Sequence, residues 1–328
     1  MNRVLITGGF GFIGSYLVEA LVSDPQTQVH VVDNLSTSPI DLPSFLARLG
    51  EPKNLTYDLC TVDHFCAELA SAKRFHQIYH LASVVGPVGV LAHAGNIAFQ
   101  IINDAKMLAE LALQNQARLV DISTSEVYGG GRDGYCSEKD SKVIQPQVTV
   151  RLEYAVGKLA AEIALINTAR VRSLDVTIVR PFNVAGPRQS AAGGFVLPRF
   201  INQSRAGEPL TVYNDGQMIR AFTHVADIVD GISLVMAKGK CGDAYNLGNP
   251  ANKISIVDLA GRVISVTKSQ STVSHVDPKA LFGDLFEEAN DKYPDADRAK
   301  NELGWNPKYT IDEIISDAYD YTTSERRD

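Results

Sequence analysis

The chain has 328 residues, 45% of them apolar and 21% charged, the balance of a soluble globular protein with room for a large parallel sheet. Its formal net charge of -7 comes with no long basic run, which argues against nucleic acid as a partner, because a phosphate backbone needs clustered Lys and Arg. No apolar run approaches the roughly 20 residues that span a bilayer, so no membrane partner is expected.

In chain order, "RVLITG" reads as a buried strand, "GSYLVEALVSD" as a helix and "VHVVD" as a second strand. "QIYHLA" and "RLVDIST" are two further strands, separated by a long amphipathic stretch from about Asn96 to Asn115. "DVTIVRPFN" is another. Strands alternating with helices imply right-handed crossovers and a parallel sheet covered on both faces. The expected fold class is therefore α/β, a Rossmann-type doubly wound parallel sheet with a smaller C-terminal α/β lobe. From Phe182 onward Gly and Pro become frequent. The boundary is placed at 181/182, with residues 182–328 forming most of the smaller lobe. A helix-like "THVADIVDGISLVMAK" suggests that a segment near 222–248 returns to the first domain. The four cysteines, Cys60, Cys66, Cys136 and Cys241, show neither C-x-x-C nor zinc-ligand spacing. With no signal-like N-terminus, they predict a reducing, cytoplasmic setting and no metal.

"TGGFGFIG" joins the first strand to the first helix. Gly8 allows the tight turn, Gly11 lets backbone approach a pyrophosphate, and Gly14 lets helix pack on strand. The helix N-terminus, with Phe12 and Ile13, offers N–H groups to phosphates. Asp33 ends the second strand, 19 positions after Gly14. A carboxylate there accepts from ribose hydroxyls and repels a ribose phosphate, so NAD is expected rather than NADP. Asn34 follows it. Asp58 and Leu59 are candidate adenine contacts, although Asp58 reads almost equally well as a loop cap. Leu81, Ala82, Ser123 and Pro181, at the ends of other strands, complete the expected cofactor crevice. Residues 1–181 are read as the NAD-binding domain.

Tyr154 and Lys158 lie four apart in a helix-like run, on one face. An ammonium near a phenol favours the phenolate, which can act as general base. The spacing alone is common in a chain with 12 tyrosines. What strengthens it is "STSEVYG" upstream at the end of a strand, where ligands of an open parallel sheet bind. Ser123, Thr124, Ser125 and Glu126 then face the same crevice as Tyr154.

Taken in order, "TGGFGFIG", "HLAS", "STSEVYG", "YAVGK", "RPFNVAGPRQ", "GEPLTVYNDGQMIRAFTHVADI", "YNLGNP" and "ELGWNP" resemble the extended short-chain dehydrogenase/reductases, specifically the NAD-dependent nucleotide-sugar epimerases, dehydratases and decarboxylases. The resemblance covers nearly the whole chain. It implies retained NAD, with Tyr154 taking the proton of the sugar 4-hydroxyl, Lys158 holding the nicotinamide ribose, and Ser125 or Thr124 hydrogen-bonding that hydroxyl. It also implies Ser83, Asn183, Arg188 and Arg220 on the substrate side, Leu197 near the base, and a homodimer through two helices per subunit.

Glu126 and Arg151 make the chain most similar to UDP-glucuronate decarboxylases. Arg151 could meet a sugar carboxylate or cap the helix. Those enzymes carry an Arg before Lys-Pro near the C-terminus, where this chain has Lys292; lysine keeps the charge and loses the planar fork. Decarboxylation leads, followed by 4-epimerisation of a UDP-sugar and then 4,6-dehydration. A non-catalytic nucleotide-binding protein is the reading of a different class.

Overall fold

Seven parallel strands form one sheet: β1 (Asn2–Thr7), β2 (Thr27–Val32), β3 (Leu55–Asp58), β4 (Gln77–His80), β5 (Arg118–Ile122), β6 (Val176–Pro181) and β7 (Ala244–Leu247). Their order is β7-β6-β5-β4-β1-β2-β3. The computed structural model describes residues 1–129, 135–283, 286 and 291–324. Side chains alternate between two cores. On β1, Val4 and Ile6 join one apolar cluster and Leu5 the other, and all three are completely buried. Burial on both faces is why the strand reads as a continuous apolar run.

α1 (Phe12–Val22) and α5 (Val225–Lys238) cover one face, and α2 (Ile97–Asn115) and α3 (Val150–Arg172) the other. α4 (Val196–Ala206) lies outside the sheet. Thr149 caps α3 by accepting from Leu152 N at 3.2 Å, and the helix stops at Ser173 in a left-handed conformation. The chain returns through α5 and β7, so residues 225–247 build the sheet's far edge. The edge strand β3 escaped the sequence reading. It has four residues, none fully buried, so it lacks the apolar period that marks a strand.

Outside the sheet, a separate core packs α4 against α6 (Ile256–Thr267) and α7 (Ile311–Ser324), a second centre of burial beside the sheet. A parallel pair, 210–213 with 273–276, flanks them. No helix among the described residues is long and apolar enough to cross a membrane. The winding of the main sheet reverses between β1 and β4, which opens a crevice beyond their carboxyl ends.

Candidate active site

The glycine turn sits in that crevice. Gly8 has φ +71°, and a Cβ on it would lie 2.7 Å from Ala82 N. A Cβ on Gly14 would stand 2.0 Å from the Gly8 carbonyl oxygen, because α1 starts directly against the turn. A Cβ on Gly11 would meet only that same oxygen, at 3.2 Å, so its outer side is open to an approaching group. No side chain caps α1, which leaves the first-turn N–H groups around Phe12 and Ile13 for a ligand. A dinucleotide pyrophosphate fits this cradle. Gly14→Ala is expected to yield protein that no longer retains NAD, read as loss of the nucleotide released on denaturation.

Asp33 does more than the sequence suggested. Its buried carboxylate accepts from Phe10 N at 2.9 Å and Leu35 N at 2.8 Å, bracing the turn against the end of β2, and burial raises its pKa. Asn34 is exposed and accepts from Ser36 N. The Asp58 carboxylate is engaged by His30 Nε2 at 2.9 Å and by Lys73, the lysine lowering its pKa. Leu59 is exposed. Leu81 and Ala82 press on the turn, Leu81 N donating to the Thr7 carbonyl at 3.0 Å. Pro181 ends β6 beside Leu247. The buried Ser123 Oγ has no hydrogen-bond partner within the protein. Ser83 makes only a long bond, 3.4 Å, to the Val84 carbonyl.

Tyr154 and Lys158 are both buried on α3. Thr124 stands near the Tyr154 hydroxyl and favours its phenolate. Thr124 also accepts from Glu126 N at 3.2 Å, capping the tight turn Ser125–Tyr128 in which Ser125 is buried. Lys158 Nζ donates to the Ile122 carbonyl at 2.8 Å. One expectation is overturned in this state of the protein. Burial raises the Tyr154 pKa above the ordinary phenol value, with Glu126 and Asp121 adding to the rise. The Lys158 ammonium is drawn to a backbone carbonyl rather than to the phenol.

Glu126 is the centre of the site's charge. Arg151 holds it in a fork, Nε at 2.8 Å and Nη2 at 2.7 Å, so Arg151 is not a helix cap. Lys292 Nζ lies 2.5 Å from the other oxygen. These two cations hold the Glu126 carboxyl at about 2 despite its partial desolvation, while desolvation pushes Lys292 down to about 8. Two cations share one carboxylate, so the lysine is not held up as a private partner would be. Arg220 is buried beside Lys292 through a backbone bridge, its Nη1 donating to the Ile219 carbonyl at 2.8 Å. Asn183 has φ +35° and reaches the Ala221 carbonyl at 3.4 Å.

Two further candidates, Arg188 and Leu197, line one cavity. Arg188 is clamped to α1, with Nη2 at 2.8 and 2.9 Å from the Glu19 carboxylate and the guanidinium 4.1 Å above the Tyr16 ring. Its Nε is buried with no hydrogen-bond partner in the protein. Leu197 packs into the core outside the sheet with Phe200 and Ile201.

A network missed in the sequence locks the turn Ser125–Tyr128. Arg180 pairs with Glu162 at 2.6 Å and donates to the Tyr128 hydroxyl at 2.9 Å. Tyr128 donates to Asn246 Oδ1 at 2.6 Å, and Asn246 Nδ2 donates to the carbonyls of Cys136 and Asp295. Asn246 thus fastens the strand segment after Lys292 to the turn bearing Glu126. Its only trace in the sequence is the "YNLGNP" segment.

Residues 4–248 match the profile of the NAD dependent epimerase/dehydratase family. The chain belongs to that family. It is an enzyme, and NAD is its cofactor. Among curated relatives, the UDP-glucuronic acid decarboxylase 6 of Arabidopsis thaliana is 33% identical over 312 residues, 95% of this chain and 86% of the relative. The UDP-N-acetyl-alpha-D-glucosaminuronate decarboxylase of Bacillus cytotoxicus is 29% identical over 96% of each chain. The fold is also that of the UDP-glucuronic acid 4-epimerase of Bacillus cereus, solved with UDP-glucuronic acid and NAD. That structure has a TM-score of 0.84 at 23% identity, covering 98% of this enzyme and 99% of the epimerase.

Proposed function

We propose that this enzyme decarboxylates a UDP-linked uronic acid, UDP-glucuronate first. The observation that carries the reading is the charge around Glu126. Arg151 and Lys292 both bind the Glu126 carboxylate, a pair of cations of the kind that suits a sugar carboxylate. The names of the relatives support it.

When bound along the glycine turn, NAD supplies a reversible hydride acceptor. Tyr154 takes the proton of the sugar 4-hydroxyl, held by Thr124 and Ser125. Lys158 fixes the adjoining ribose. Oxidation at carbon 4 places the carboxylate of carbon 5 in the β position to a ketone. The bond to that carboxyl carbon then breaks, carbon dioxide leaves, and the electron pair is held as an enolate until carbon 5 takes a proton. Arg151 and Lys292 orient the carboxylate before it leaves. Glu126, held ionised at about 2 by two cations, is a weak base, which disfavours dehydration.

Incubation with UDP-glucuronate, read by mass spectrometry, tests this. The expected product has lost carbon dioxide. An unchanged mass with inverted carbon 4 would make the enzyme an epimerase, and loss of water a dehydratase. We read residues 1–181, with the segment near 222–248, as the half that binds NAD, and the rest of 182–328 as the nucleotide-sugar half.

A homodimer is supported by apolar side chains left in water on α2 and α3. Phe99 is 74% exposed and Ile163 53%, with Ile102 and Val156 beside them in exposure. Such a patch marks an association surface. Phe99→Glu with Ile163→Glu is expected to halve the mass measured by light scattering.

A further inference from the structure

A row of polar side chains crosses the sheet beneath α3. Strand register sets Thr7 beside His80 and His80 beside Asp121, on β1, β4 and β5. Alternation puts all three on the face of Leu5, Ile78 and Leu119, which pack against α2 and α3. Asp121 is 2% exposed. Thr7 Oγ1 and His80 Nδ1 are 2.8 Å apart, but His80 Nε2 stands 3.9 Å from the Asp121 carboxylate, too far for a hydrogen bond. Burial pushes His80 down to about 3. The imidazole is therefore neutral and gives Asp121 no counter-charge.

Lys158 poses the converse problem. Its ammonium is buried and donates to the carbonyl of Ile122. A carbonyl alone does not compensate the desolvation of a charge. Of the acids around it, Glu162 on α3 is taken by Arg180. Asp104 on α2 and Asp121 on β5 remain, and Asp121 directly precedes the residue whose carbonyl Lys158 holds.

We propose that Asp121 is a positioning residue that keeps Lys158 an ammonium and thereby sets the working pH of the Tyr154–Lys158 pair. The inference rests on the role given to that pair above. Asp121 is buried and adjoins the carbonyl that Lys158 holds, and its charge favours both the Lys158 ammonium and the protonated Tyr154. Burial lifts Asp121 itself to about 6, so it is ionised at neutral pH.

Removing the charge should let both groups titrate lower. With substrate seated, the acid limb of the kcat–pH profile reports Tyr154 losing its proton, and the alkaline limb reports Lys158 losing its own. In Asp121→Asn, both limbs should move down by about one pH unit, so the whole bell is translated. Asp104, Glu162, Arg151, Glu126 and His80, the other charged or titratable groups around the pair, are unchanged in the variant. A substitution that merely loosens the sheet lowers the maximum and leaves the limbs in place.

The experiment is the kcat–pH profile of NAD-loaded Asp121→Asn with UDP-glucuronate. Beside it, the Lys158 signal of 13C-lysine-labelled protein is followed through a pH titration. A downward shift of about one unit in both supports the proposal. Limbs and titration that coincide with wild type overturn it, whatever happens to the maximum. Should the amide not yield folded holoenzyme, Asp121→Val, an apolar strand former, carries the same expectation. Should Tyr154→Phe retain turnover, the pair is not the base, and the lysine titration still decides whether Asp121 holds the Lys158 charge.

Discussion

Tyr154→Phe is expected to reduce turnover of UDP-glucuronate by roughly 100- to 10,000-fold, the range a positioned general base contributes, while bound NAD stays at the wild-type amount. The ring packs in the apolar cluster with Ile101 and Val150, and phenylalanine keeps that packing. Only the hydroxyl is lost. In the resting protein burial keeps this phenol protonated, so the base works through the cations near it once substrate is seated. The wild-type rate should therefore climb with pH on its acid side and the variant's residual rate should not. Measuring kcat and released nucleotide on the same preparation separates chemistry from cofactor loss. Wild-type turnover in a fully loaded variant would remove Tyr154 from the mechanism.

Glu126→Gln should destabilise the protein by up to about 3–5 kcal/mol, because it leaves the buried Lys292 ammonium without its carboxylate. Arg151 and Lys292 would face each other with no carboxylate between them. The sign of the pH dependence follows from the carboxyl, which sits at about 2 in the folded protein against an ordinary 4.5. A folded pKa below the unfolded one gives stability that is present above about 4.5 and lost as pH falls through about 2. The wild-type and variant urea midpoints should thus differ most at neutral pH and converge as the solution is acidified toward 2. A gap that stays constant across that window would mean that Glu126 stabilises by packing rather than by charge. Glu126→Gln should also raise KM for a uronic acid substrate, since the two cations lose the group that aligns them.

The sheet was legible because its strands are buried on both faces and its helices carry one apolar stripe. β3 was not, being short, half-exposed and without a period. The glycine turn was legible because each glycine answers a local steric demand, and Gly14 against the Gly8 carbonyl is the severest of these. Tyr154 and Lys158 were legible as a helical pair, yet the direction of the tyrosine's shift was not, because burial is a property of the folded surroundings. Glu126, Arg151 and Lys292 were each singled out by motif. That they form one cluster could not be read, since nothing local in a sequence says that positions 126, 151 and 292 meet. Arg188 has a contact that no motif announces, its pairing with Glu19 on α1.

The edge of the sheet has a consequence for how the protein is made. Chains emerge from the ribosome N-terminus first and domains fold as they appear. β6 has one neighbour, β5, until residues 244–247 arrive to pair with it. Lys292, the second cation of Glu126, arrives later still. A nascent chain can therefore assemble the glycine cradle early, but it carries an open strand edge and an incompletely balanced carboxylate through the synthesis of the following residues. Nascent chains stalled between β6 and β7 should be cut by protease near Pro181, and those extended past residue 247 should resist.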